Sequence, residues 1–226
     1  MEKSKVFTQR IVLTPALGRN RELIQATTEQ VRLRQSQGIR ASLSTPITGE
    51  GRVSIGIQFD NLADLQAFRE KNREDAATQA YFAKISALQS QQPRVELWDV
   101  MVSATAATAP KYVQGIVATA ALGQGGALRD LLGKRALALQ AKGIDCAFSQ
   151  EMASDAQRFG TTLLFASLAD FEAHRAQSMA DPETLQLMAK LTPLLAAQVT
   201  VTLSEVLVPF PLVAQRKLAG AASATR

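Results

Sequence analysis

The chain contains one histidine, His174, one cysteine, Cys146, and one tryptophan, Trp98. A lone imidazole can carry a proton near neutral pH or serve as an axial haem ligand. Other groups able to do chemistry recur inside segments that otherwise look like strands. Gln9 and Gln114 occupy matched places, as do Asp99 and Glu205, and Arg10, Arg40, Gln58 and Trp98 add polar or amphipathic groups. If such residues converge on an apolar cavity, they orient a ligand. Arg10 and Asp99 on a desolvated wall would hold a polar or anionic molecule through charge-assisted hydrogen bonds, and Trp98 would offer a stacking surface. The expected ligand contacts are therefore Arg10, Arg40, Gln58, Trp98 and Asp99. The candidates for catalysis are Asp99, as a base, with Arg10 and His174. The competing expectation is that Arg10 and Asp99 pair with each other and Trp98 fills the core.

Familiar catalytic signatures are absent. No G-x-S-x-G elbow accompanies the histidine. One His, one Cys and scattered acids give no zinc spacing, so no protein-held metal is expected. "GQGG" at Gly123–Gly126 precedes a helical stretch but matches neither G-x-G-x-x-G nor a P-loop, and reads as a strand-to-helix turn.

The elements that must position these residues are written twice. "NLADLQAFR" at Asn61–Arg69 returns as "SLADFEAHR" at Ser167–Arg175. "ALG" at Ala16–Gly18 returns at Ala121–Gly123, and Gly38–Ile39 at Gly143–Ile144. Val95, Leu97, Val100 and Val102 coincide with Val201, Leu203, Val206 and Val208 after a one-residue shift. Ordered matches across both halves imply internal duplication. Each copy reads as a strand (Val6–Leu13 in the first), a helix ending at Gly38, strands Ile39–Thr45 and Arg52–Phe59, a helical region from Asn61, and a strand Val95–Val102. In the second copy Leu128, Leu131, Leu132 and Leu139 form a helical stripe that Arg135 interrupts. The order β-α-β-β-α-β predicts an α+β chain of two tandem ferredoxin-like units. The strands carry valines at both parities, so both faces should be buried, as when two units close into an intrachain α/β barrel. The expected boundaries are a first half at 5–103, a linker at 104–110, a second half at 111–209 and a flexible tail at 210–226.

"LADFEAHRAQSMADPETLQLMAKLTPLLAAQVTVTLSEVLVP" resembles the NIPSNAP-like branch of the dimeric α/β-barrel superfamily, through its "DPE" helix start, "AKLTPL" and closing strand. The first copy resembles it less, with "NREDAA" in place of the DPE start. The resemblance implies a small-molecule-binding barrel, with cofactor-independent oxygenase or isomerase activity on an aromatic or polyketide-like compound among the options. A non-enzymatic structural or protein-interaction module is the alternative. A haem-binding barrel through His174 ranks behind both, because the superfamily includes haem proteins; otherwise no cofactor is expected.

Composition narrows the classes further. A net charge of +5 invites nucleic acid, but the basic residues are interspersed with acids and only 5% of residues are aromatic, so no nucleic-acid partner is expected. No apolar run approaches the roughly 18–20 residues of a membrane span. The single cysteine and the N-terminal "MEKSKVFTQRIVL" suit a cytoplasmic protein. Self-association is left open.

Overall fold

The computed structural model describes residues 6–47, 51–105, 108–152 and 157–211. Its elements are β1 (Val6–Leu13), α1 (Asn20–Ser36), β2 (Arg40–Pro46), β3 (Val53–Phe59), α2 (Leu62–Glu74), α3 (Ala76–Ser86) and β4 (Arg94–Val102). They are followed by β5 (Tyr112–Thr119), α4 (Gly125–Ala141), β6 (Cys146–Glu151), β7 (Arg158–Phe165), α5 (Leu168–Ala180), α6 (Pro182–Leu191), a short 3-10 turn (Thr192–Leu194) and β8 (Thr200–Val208). The connection at 48–50, linker residues 106–107 and the tail from 212 lie outside the described residues.

The repeated phrases are helix punctuation. Asn61 Oδ1 accepts the Asp64 N–H at 2.8 Å, and Ser167 Oγ accepts the Asp170 N–H at 3.1 Å, so both copies of the "LAD" segment are capped starts. The break between paired helices is also capped twice: Asp75 accepts from Thr78 N, and Asp181 from Glu183 N. The first copy therefore restarts its helix at Asp75 without the DPE sequence. Gly38 and Gly143, at φ of 81° and 80°, end α1 and α4, where a side chain would be strained.

The eight strands close into one antiparallel barrel in the order β1-β3-β2-β8-β5-β7-β6-β4. Each half supplies four neighbouring strands, and the halves join through β2–β8 and β4–β6. The sequence leaves the first and last strands of a half free to be apart; here β1 pairs with β4 and β5 with β8. The helices lie outside the barrel, against strand residues of one parity such as Leu13, Leu43, Ile55 and Ile57.

Cross-strand registers place the opposite parity in the lumen, where Thr8 faces Trp98 and Arg10 faces Glu96. The prediction of two buried faces holds, but the lumen is not simply apolar. Arg10, Arg94 and Arg158 surround the buried Glu96 at 3.6, 2.8 and 3.5 Å, and Arg158 also reaches Glu151 at 2.6 Å. Trp98 donates its indole N–H to Glu96 at 3.1 Å, and the Arg158 guanidinium lies 5.7 Å from its ring. Trp98 packs so closely on Gly160 that a Cβ there would stand 3.2 Å from the ring; Phe210 crowds Gly56 similarly, at 2.9 Å. Register shifts at Val100/Val102 and Leu43/Ser44 send Val102 and Val208 to the helix side, although they share a sequence parity with the lumen-facing Val100 and Val206.

Candidate functional site

A cavity of about 740 Å³ lies outside the barrel, between the second-half sheet and helices α4, α5 and α6. Its floor is the helix-facing parity of the strands, Gln114, Ile116 and Ala118 from β5 and Thr161 and Leu163 from β7. Leu132, Arg135 and Leu139 come from α4; His174, Ser178 and Met179 from α5; Leu187, Met188 and Leu191 from α6. The size suits a small organic ligand, as does the composition: mostly apolar with a few polar groups. Among the described residues no acidic side chain and no Phe, Tyr or Trp lines it.

Two groups in this cavity stand out. Arg135 is half-buried and donates to Thr184 Oγ1 at 3.2 Å. It has no ion pair among the described residues, because Asp181 behind Thr184 is engaged by Lys142 at 3.6 Å. Burial pulls the Arg135 pKa down, partly countered by Asp181. His174, near the middle of α5, has Nε2 3.3 Å from Ser178 Oγ one turn on, while its buried Nδ1 finds no hydrogen-bond partner. Burial, then the charge of Arg135, lowers the His174 pKa and favours the neutral ring. A neutral imidazole and a guanidinium with no direct ion pair among the described residues, sharing a largely apolar chamber, can take a proton and hold the anion that results.

The residues singled out from the sequence fall in several places. Arg10 and Trp98 share the lumen, where Arg10 pairs with Glu96 rather than Asp99. Arg40 reaches Asp60 at 2.5 Å at the surface, with Gln58 opposite it in register. Asp99 is on the helix-facing parity, across from Phe7 and Gln150. Of the residues expected to contact a ligand or act in catalysis, only His174 lines the cavity. Gln114, matched to Gln9, also lines it, and Arg135 had shown itself as the flaw in an apolar stripe. Ser178, Thr184 and Thr161 carried no sequence signal taken alone. Of the three, only Thr161 replaces an apolar residue, Ile55, at its matched position.

No protein-family model and no curated protein matches the sequence. Solved structures do match. A candidate monooxygenase from Fusobacterium nucleatum aligns with a TM-score of 0.74 at 10% identity, over 94% of this chain and 96% of that one. An anthrone oxidase-like protein aligns at 0.64 and 13% identity, over 92% and 93%. A candidate chlorite dismutase aligns at 0.53 and 9%, over 89% and 94%. The fold is that of the dimeric α/β barrels, with both barrel halves in one chain. Among the described residues, no helix is long and apolar enough to cross a membrane.

Proposed function

We propose that this chain is a small-molecule-binding barrel of the NIPSNAP-like branch, made of two ferredoxin-like units, whose second-half cavity performs cofactor-independent oxygenation or isomerisation. The observation that carries this reading is the pairing of a neutral His174 with an unpaired Arg135 inside a largely apolar chamber. The neighbours described as a monooxygenase and as anthrone oxidase-like add support at the level of fold. In this reading the neutral His174 imidazole accepts a proton from an acidic C–H group, and Arg135 holds the enolate oxygen. Return of the proton to another carbon is isomerisation. Addition of dioxygen to the carbanion instead gives a hydroperoxide, and loss of water leaves a carbonyl, so that CH₂ and O₂ become C=O and H₂O.

The test uses anthrone and an aliphatic β-diketone, with deuterium exchange at the acidic carbon and oxygen uptake followed separately. Wild-type protein should accelerate exchange of at least one probe, and His174→Ala should lose about 10²-fold of that acceleration. Exchange without oxygen uptake would assign isomerase chemistry. Exchange equal in both proteins overturns the role of His174. No exchange with either probe favours the non-enzymatic interaction module.

His174 also favours a second reading, a haem-binding barrel. The His174 imidazole would hold the iron of a haem, and Ser178, 3.3 Å from Nε2, would steady the ring. Arg135 and Arg175 line the same cavity and suit propionate groups. Haem bound there would supply iron redox chemistry. A Soret band on titration with hemin, lost in His174→Ala, would establish this reading; its absence in wild type removes it.

A further inference from the structure

The chamber's chemistry is more specific than "small molecule". Among the described residues its only charged lining groups are Arg135 and Arg175, and its walls are mainly aliphatic. Planar ring systems are commonly gripped by aromatic side chains; leucine and methionine walls adapt instead to a flexible chain. The rim carries the same character. Met179, Leu185 and Met188 are 68%, 60% and 49% exposed, and the matched first-half positions hold Arg73, Gln79 and Phe82. The apolar rim thus belongs mainly to the half that has the cavity. At the inner end, Leu139, Leu163 and Leu191 are buried beside Arg135.

We infer that the cavity takes an aliphatic carboxylate, a fatty-acid-like anion, head first: the carboxylate on Arg135 beside His174 and Thr184, the chain running out along leucines to Met179 and Met188. This rests on the second-half cavity being the ligand site, as proposed above, and names the ligand class. The carboxylate supplies the negative charge that Arg135 lacks, and its second oxygen comes within the reach of the His174 ring once that ring carries a proton. Asp181, the acid that acts most on Arg135, is held behind Thr184 and engaged by Lys142, so it makes no direct ion pair with the guanidinium. The first half shows the alternative solution. There Arg34 donates to Thr78 at 2.5 Å and lies 5.4 Å from the Phe68 ring, so its guanidinium already has partners within the protein.

Isothermal titration with decanoate, and with decan-1-ol as its uncharged counterpart, tests the inference on the full chain. Decanoate should bind wild type with one site and at least tenfold more tightly than decan-1-ol. Arg135→Gln should erase that preference and leave decan-1-ol binding unchanged. Arg129→Gln, on the exposed side of α4, should keep the preference, separating a site from the attraction of a basic surface. Equal affinities for the two probes in wild type overturn the inference without any variant. So does a decanoate affinity that survives Arg135→Gln or falls equally in Arg129→Gln. If decanoate fails to bind while His174-dependent exchange of anthrone persists, the ligand class falls and the proposed activity stands. If neither is seen, both fall.

Discussion

The two halves share a plan and differ in the layer between sheet and helices. In the first half this layer is filled. Leu13, Leu43, Ile55, Ile57 and Phe59 are almost fully buried, and Phe68 and Tyr81 pack onto them from the helices. In the second half α5 has no fully buried residue and α6 has only Leu191. The matched substitutions account for the difference: Ile55 becomes Thr161, Phe68 becomes His174, Tyr81 becomes Leu187, and Arg34 becomes Leu139 while an arginine appears one turn earlier as Arg135. Two halves on one plan can therefore differ by a chamber through a few exchanges on one face. On the proposed reading, the open half accepts a ligand at the cost of weaker helix anchoring.

The largest expected effect comes from separating the halves. Taken as units at 5–103 and 111–209, each gives the other both of its edge-strand partners, through β2–β8 and β4–β6. A fragment ending at Ser103 would expose two strand edges and the lumen face around Glu96. It should aggregate, remain partly unfolded or form a homodimer that restores the barrel. Sedimentation together with thermal melting checks this. A soluble monomer with a cooperative transition would show that the first half's filled layer is sufficient alone.

Next in size is truncation at the matched aromatic position. Phe68→Ala should cost about 3 kcal/mol, because Phe68 also packs against Phe59 at 5.3 Å and under Arg34. His174→Ala should cost under ~1 kcal/mol, since its ring borders an existing cavity. Urea unfolding measures both. Equal losses would mean that the two layers are equally packed.

Much of the barrel could be read from the chain. The span Val6–Leu13 is β1 itself, and Ile39–Thr45, Arg52–Phe59 and Val95–Val102 differ from β2, β3 and β4 by one residue, because alternation, Gly38 and the capped "LAD" starts are local signals. The cavity is not local. Polarity inside strands drew attention to Arg10 and Trp98, which the pleat sends into the lumen, and a sequence shows parity without showing which parity faces the helices. Thr161 and Ser178 are ordinary residues whose meaning lies in what they replace, Ile55 and Asn72. Arg135 was conspicuous as a charge in a leucine stripe, and folding explains it by leaving space in front of it.

Rebuilding the first half's filling in the second should sharpen the contrast at smaller cost. The double change Thr161→Ile with His174→Phe restores the matched identities and should add about 1–2 kcal/mol by placing apolar volume in the chamber. Decanoate and the exchange probes should lose their binding in the same protein. Gain of stability with ligand binding intact would place the ligand elsewhere.

The smallest effect is a pH dependence carried by His174. Burial and Arg135 lower its pKa in the folded protein, while the unfolded chain titrates near the ordinary value of about 6.5. Between those two values the unfolded state binds more protons than the folded state, so stability rises with pH across that window and falls on acidification. Below the folded value both states are protonated and the slope ends. The depressed carboxyls Asp75 and Asp181 act separately and lower: their contribution is present above the usual carboxylate range and is lost as pH falls through it. His174→Phe removes the imidazole and supplies the first half's own residue, so it should gain on wild type as pH drops from 7.5 to 5.5. Urea midpoints at the two pH values read the difference directly. A gap between the two proteins that stays constant would show that His174 is no more desolvated than an exposed imidazole, and the polar asymmetry between the halves would then rest on Arg135 alone.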